Sequence, residues 1–241
     1  KSFILIADIN LDVAPYNTGE GWEPIGNKKT RFTGKVNGNG HPIDGLFINK
    51  GNTNYVGLFG YTQGASIESL GLTNVNVKGK NSVGGLVGYT SKSSITNSSA
   101  TGKVKGKSRV GGLVGYNTKS TITTSYATGN VTGKSSVGGL VGDNNKSSSI
   151  SDSYATGSVK GKKFVGGLVG WNNSSSITTS YATGSVTGKS SVGGFIGIYG
   201  SGSLTHNYWD TQSSGQTKGI GNKGKQSGVT GKTSMQMTKQ A

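Results

Sequence analysis

Five lysines, Lys80, Lys107, Lys134, Lys162 and Lys189, each follow a glycine and recur at intervals of 27 or 28 residues. A regular row of ammonium groups is suited to holding a polymer of anions, because each contact releases counterions and the fields of the row add. Lys92, Lys119 and Lys146 make a second, shorter row at the same interval. If the intervals bring these lysines to a spacing near that of stacked strands, neighbouring charges repel by about 0.8 kcal/mol in bulk water and several-fold more at a protein surface. From residue 70 onward the chain has 19 Lys or Arg against only Asp143, Asp152 and Asp210, so internal pairing cannot relieve that repulsion. An acidic glycan, teichoic acid, nucleic acid or other polyanion is one candidate partner. The competing expectation is a solvated face that keeps a glycine-rich chain soluble and blunts its edges.

Tyr126, Tyr154, Tyr181 and Tyr208 recur at the same interval, and Tyr89, Tyr116 and Trp171 form a similar file. Aromatic faces bind sugar rings and, interleaved with cations, single-stranded nucleic acid, although aromatic ladders also stabilise sheets. Thr101, Thr128, Thr156 and Thr183 give a hydroxyl file, but its outward neighbour is Tyr, so a second hydroxyl file that could match an ice lattice is missing. Catalysis finds little support. His41 and His206 lie outside the repeated columns and in no metal-ligand spacing, and Asp143 and Asp152 occupy different columns. The expectation is a protein that is not an enzyme, with no catalytic residue, no metal and no cofactor.

What must position these rows is a repeat. Val-Gly-Gly-Leu-Val-Gly stands at 83–88, 110–115, 137–142 and 165–170, with variants at 56–60 and 192–197. Ser-Tyr-Ala-Thr-Gly stands at 125–129, 153–157 and 180–184, and is altered at 98–102. A fixed period of this length signals a solenoid, in which each unit buries its apolar side only by stacking on its neighbours. Within a unit the apolar runs are short and β-prone, bounded by Gly, Asn, Ser and Lys, and no 3.6-residue pattern appears. At about 3.3 Å per residue, 27 residues make a coil of roughly 90 Å perimeter, ample for three short strands and their corners. The fold class expected is all-β, a right-handed parallel β-helix (β-solenoid) with about 27–28 residues per coil.

Composition fits that repeat and little else. Leu, Ile, Val and Phe make 50 of 241 residues and the formal net charge is +16, which in an aperiodic chain reads as disorder. The 44 glycines are expected at corners, where a positive φ or a close approach of backbones is needed. With no cysteine there is no disulfide framework or thiolate metal site. No stretch approaches the roughly 18 apolar residues of a membrane-spanning helix. The chain opens at Lys1 without a basic-then-apolar leader, and a strand-like Phe3-Ile4-Leu5-Ile6 begins at once. The expectation is a piece of a longer secreted protein, with any signal or anchor outside it.

The columns also assign faces. Ile67, Ile95, Ile122, Ile150, Ile177 and Leu204 never lose apolar character and must point inward. The Ser98, Ser125, Ser153, Ser180 column and the Ala100, Ala127, Ala155, Ala182 column share positions with Leu70, Leu72 and Trp209, so they too are expected inside. Alternation then turns the Tyr and Thr columns outward. The Gly-Leu strip resists this logic, because Val83 and Val87 flank Leu86 and a straight strand would be apolar on both faces. Either its Gly-Gly pair bends the strip, or one face packs on something outside the coil. Residues 1–55 are expected to form an N-terminal cap with lead-in strands, 56–209 the repeat body, and 210–241 a polar, Gly-rich C-terminal cap or linker.

These phrases resemble the GLUG-motif repeats of bacterial and archaeal surface and secreted proteins, many of them large adhesins. Ahead of the repeats, Ala7-Asp8-Ile9-Asn10-Leu11 and Gly38-Asn39-Gly40-His41-Pro42 are similar to the lead-in such proteins carry, and behind them Asn207-Tyr208-Trp209-Asp210-Thr211 and Met235-Gln236-Met237 are similar to the usual close. The resemblance implies an extracellular or cell-surface adhesin or structural module and names no ligand. Some IgA-cleaving metallopeptidases carry GLUG repeats, but their zinc-binding His-Glu-x-x-His is absent here. The alternative is a self-assembling subunit of an extracellular filament or surface lattice, joined through coil ends or through the Gly-Leu strip.

Overall fold

A computed structural model describes residues 1–224 and 227–238; Lys225, in the tail read as a cap or linker, and residues 239–241 lie outside the described residues. The chain winds as a parallel β-solenoid whose strands pair one coil to the next. Each repeat finds its own copy. Ile67, Ile95, Ile122, Ile150, Ile177 and Leu204 are consecutive register partners, and the first five are at most 1% exposed. The Ser and Ala columns are buried beside them, while the Tyr and Thr columns lie half-buried or exposed on the outer surface.

A coil has five strands where three were expected. One coil runs through Ser108–Gly111, Val114–Thr118, Thr121–Thr123, Tyr126–Ala127 and Asn130–Thr132, distributed over four sheets of five, six, eight and thirteen strands. So many strands fit because a single left-handed residue turns a corner. Ser69, Asn97, Thr124, Asp152, Thr179 and His206 share one such corner, with φ between 47° and 52°. His206 therefore belongs to a repeated column after all. Lys92 and Lys119 hold another corner at φ 51°. There the 28-residue interval from Lys134 to Lys162 arises: Lys146 and Ser147 are both left-handed, while the flanking strands keep the pairs Thr118↔Asn145 and Thr121↔Ser149.

A left-handed non-glycine residue costs on the order of 1 kcal/mol, and the serine that follows it offsets the strain. At Ser125 the hydroxyl accepts from the Ser98 backbone N–H at 3.1 Å and donates to the Thr123 carbonyl at 2.8 Å. The same link runs from Leu70 through Ser98, Ser125, Ser153 and Ser180 to Asn207. A second ladder of Ser93, Ser120, Ser148 and Ser175 follows the lysine corner. Further inside, Asn117, Asn144 and Asn172 are fully buried and pass amide hydrogen bonds of 2.8 and 2.7 Å from coil to coil.

Corner turning in the repeats thus falls mostly to residues other than glycine, although Gly64, at φ 64°, holds the lysine corner of its coil, and the glycines of the Gly-Leu strip serve the other expected role. The strip bends between Ser108–Gly111 and Val114–Thr118, and the two sheets it forms meet backbone to backbone. A Cβ on Gly115 would lie 2.4 Å from the Val83 nitrogen, and one on Gly111 2.2 Å from the Val114 carbonyl oxygen. Gly112 clears room for the Ala127 methyl, which a Cβ there would meet at 2.7 Å. Val83, Leu86 and Val87 are all fully buried as a result. The Gly-Gly bend resolves the strip, which has no apolar face left for a second molecule.

The ends differ. Residues 1–55 enter the sheets as lead-in strands: Ser2–Ile4 pairs with Lys35–Asn37, and Ile9–Asn10 with Ile43–Asp44. They leave an apolar hollow of about 240 Å³ among Phe3, Leu5, Trp22, Phe32 and Phe59. At the other end the tail extends the solenoid. Ile220 bridges to Ile196, and Val229–Lys232 pairs with Asn207–Asp210. Gly219 takes the place of the column leucine, and the Trp209 ring fills the space, 2.6 Å from where a Gly219 Cβ would stand. Asp210 then caps the helix Thr211–Ser214 and accepts from Ser234 of the helix Ser234–Thr238.

Candidate functional site

The five lysines stack. Lys107 donates its backbone N–H to the Lys80 carbonyl at 2.6 Å, Lys134 to Lys107 at 2.8 Å, Lys162 to Lys134 at 3.1 Å and Lys189 to Lys162 at 3.0 Å. Lys80 is half-buried and the other four are exposed. Two positions earlier runs a row that the sequence reading missed, in which Lys78 pairs with Lys105, Lys105 with Thr132, Thr132 with Lys160 and Lys160 with Thr187. Its signal was the tripeptide Lys-Gly-Lys at 78–80, 105–107 and 160–162. Lys103 and Lys163 flank the rows, Lys103 on the strand that carries Lys105 and Lys163 at the start of the strand after Lys162.

Among the described residues, ion pairs join Lys50 to Glu20 and Glu23, His41 to Asp8, and Arg109 to Asp143. None involves a lysine of this face, and no carboxylate occurs between residues 69 and 142. Like charges one coil apart, about 4.8 Å along the sheet, therefore stand without internal neutralisation, and an external anion would lower the repulsion between them. Lys92, Lys119 and Lys146 are exposed at their own corner, away from these rows.

The tyrosine column is also in register, Tyr126 to Tyr154 to Tyr181 to Tyr208. The first three rings stack with centroids 4.8 and 4.9 Å apart and planes within 5°. Rings so close cover one another's faces, which favours a stabilising ladder over sugar stacking along its middle. Tyr208 has Lys232 at 5.7 Å from its ring, and a groove of about 620 Å³ opens between it, Tyr181 and Met237.

The second aromatic file departs from its expected order. Its register is Tyr61, Tyr89, Tyr116, Asp143, Trp171, so a carboxylate interrupts the rings. Asp143 is 2% exposed; the Arg109 guanidinium reaches its Oδ2 at 3.4 Å and lies 5.0 Å from the Tyr116 ring centre, while Oδ1 has no hydrogen-bond partner. Burial raises the Asp143 pKa to about 6, with Arg109 pulling only part of the way back. The signal in the sequence was its place two residues after Val141, where Tyr89 follows Val87.

No group of three or more His, Asp or Glu side chains able to hold a metal occurs among the described residues. No helix among them is long and apolar enough to cross a membrane.

Comparison with known proteins agrees with this architecture. The GLUG motif matches residues 79–105, 106–132, 133–160 and 165–187, and the first three matched units place Lys80, Lys107 and Lys134 at their second position. The chain is a β-solenoid, and four of its units match the GLUG motif. A candidate Gly-rich membrane protein of Evansella cellulosilytica is 43% identical over 90 residues, 36% of this chain and 10% of that protein. Halomucin of Haloquadratum walsbyi is 40% identical over 108 residues, 42% of this chain and 1% of that protein. This chain thus matches only a small part of either relative. In three dimensions, the crystal structure of a candidate immunoglobulin A1 protease from Bacteroides ovatus superposes with a TM-score of 0.72 over 98% of this chain and 78% of that one. At 21% identity that likeness shows the fold alone.

Proposed function

We propose that this protein is an extracellular or cell-surface repeat module, adhesive or structural, whose lysine face binds acidic polymers. The observation that carries the reading is the set of eight lysines in two registered rows, Lys78 to Lys189, with Lys103 and Lys163 beside them and no carboxylate partner among the described residues. The names of the two relatives, a membrane protein and a halomucin, support a place at the cell surface. The test is binding of dextran sulfate by the purified chain across a range of salt. Affinity should fall steeply with salt, and changing Lys107, Lys134 and Lys162 together to Gln should weaken it and flatten the salt dependence by roughly one contact per lysine removed. Raised thermal stability with unchanged affinity would leave the lysines only a solubilising role.

The reading assigns no catalysis. The purified chain should cleave neither immunoglobulin nor acidic polysaccharide, and turnover that survives repurification and chelation would overturn it.

A second reading, self-assembly, draws on the apolar hollow at the N-terminal end, where Phe3, Ile4 and Ile6 are 51%, 58% and 86% exposed. Because the other end is closed, such contacts would pair two N-terminal ends. Sedimentation showing a concentration-dependent dimer would favour it, and a monomer throughout would dismiss it.

A further inference from the structure

The two lysine rows border a strip that has no side chain. Gly79, Gly106, Gly133, Gly161 and Gly188 stand between them, one per coil. Their missing Cβ positions point into the coil, because a methyl there would lie 2.7–2.9 Å from the γ-carbons of Val83, Val110, Val137, Val165 and Val192 respectively. The residues on either side, the last of one strand and the bend that follows it, are exposed, or half-buried at Lys80 and Thr132. On one side run Lys80, Lys107, Lys134, Lys162 and Lys189; on the other run Lys78, Lys105, Thr132, Lys160 and Thr187. The rows are two residues apart across the bend, at most about 7 Å, and each rises by about 4.8 Å per coil.

We propose that this strip is a track for one extended, linear polyuronate, lying along the solenoid axis with one sugar ring per coil. The inference rests on the polyanion reading above and adds the class of polymer, its direction and its register. Direction follows from where the charges are. Cations repeat along the axis, while around the coil the next positions outward are mainly Asn and Ser, with Lys103, Arg109 and Lys163 the cationic exceptions. Width excludes a duplex, since two rows so close embrace a single strand. Spacing selects among single strands. A pyranose linked through opposite positions advances by about one coil rise, and in an extended two-fold ribbon its successive carboxylates project to opposite edges. Two lysine rows with a bare floor between them complement that ribbon. An extended phosphodiester chain sets its charges further apart than one coil, so its anions drift out of step with the lysines after a few coils. The contacts are charge-assisted hydrogen bonds from ammonium to carboxylate, and no bond is made or broken.

Oligogalacturonates of increasing length, titrated at low salt, test the inference, with dextran sulfate, polyphosphate and single-stranded DNA as comparison probes. Affinity should rise with each added sugar up to about five, one per coil of the track, and then level off. Replacing Lys105, Lys107 and Lys160 by Gln should lower it about tenfold, as expected when several ion contacts are lost. The same loss of charge at the other lysine corner, by Lys92, Lys119 and Lys146 to Gln, should leave it nearly unchanged; a melting curve verifies that each variant is folded. Affinity that climbs without a plateau, or that falls equally for the two triple variants, overturns the track and leaves a general polyanion surface. Binding of dextran sulfate or DNA without binding of oligogalacturonates overturns the uronate assignment alone. If no probe binds, both this inference and the reading beneath it fail.

Discussion

The two ends of this solenoid solve the same problem differently. Every internal coil covers its neighbour, so a core built this way has no natural stop. At the C-terminal end the chain supplies one. Trp209 occupies the alanine column and spreads under Gly194, Gly219 and Gly231, each of which would clash with its ring if given a Cβ, and Asp210 ties two short helices over the last strands. The N-terminal end keeps pairing strands and buries Leu46 and Ile48 but leaves a hollow of about 240 Å³ unfilled, and Phe3, Ile4 and Ile6 remain in solvent. Closure needs a large side chain at a position that small residues hold elsewhere; continued strand pairing alone does not provide it.

A charge in the middle is the severest way to test that comparison. Ile150 is fully buried and stacked between Ile122 and Ile177, so Ile150→Asp places a carboxylate in the core and should unfold both ends together. Circular dichroism should show loss of the cooperative transition; a soluble variant with unchanged Tm would contradict the column. Trp209→Ala should cost about 3–5 kcal/mol and act on one end only. Hydrogen exchange should quicken from Leu204 to Lys232 while amides near Ile122 keep their protection, and uniform loss would mean that the C-terminal closure and the body form one unit.

Acid should separate the middle from the C-terminal end. The Asp143 pKa is raised to about 6 in the folded protein, above its ordinary 3.8, so the folded state binds its proton more tightly. Stability should therefore rise as pH falls through 6 toward 4, by on the order of 2–3 kcal/mol, and Asp143→Asn should abolish that rise. Asp210 has the opposite sign. Burial pushes its pKa up but is outweighed by hydrogen bonds from Ser234, Ser213 and Gln212, which hold it below the ordinary value. Its contribution is present above pH 3.8 and should be lost below it, loosening the C-terminal end first. The smallest effect is expected from Ile6→Lys, which should move stability by no more than about 0.5 kcal/mol. Analytical ultracentrifugation decides what it changes: a dimer lost on this substitution assigns the open end to self-association.

The sequence disclosed the coil length, the inward Ile, Ser and Ala columns and the outward Tyr column, because each is a periodic fact that stacking converts directly into position. It did not disclose the number of strands. A corner made by one left-handed residue carries no fixed residue type, and Asn97, Thr124, Asp152 and His206 all serve at the same one. The lysine rows were half legible. The column after glycine was evident, but Lys78, Lys105 and Lys160 share theirs with Thr132 and Thr187, which hides the row until register is known. Asp143 within the aromatic file and Ile220 in the tail were obscured for the same reason, each replacing the residue type that defines its column.

The corner formed by Lys146 and Ser147 bears on how such a molecule changes over generations. One coil there is a residue longer than the coil before it, yet the strands on both sides stay in step. Joints that absorb a surplus residue make the repeat tolerant of imprecise duplication and loss, so a gene copying error that adds a whole unit yields a folded product. The rod would then lengthen in increments of about 4.8 Å, and with each increment the lysine track would gain another foothold. Reach and grip would be inherited together.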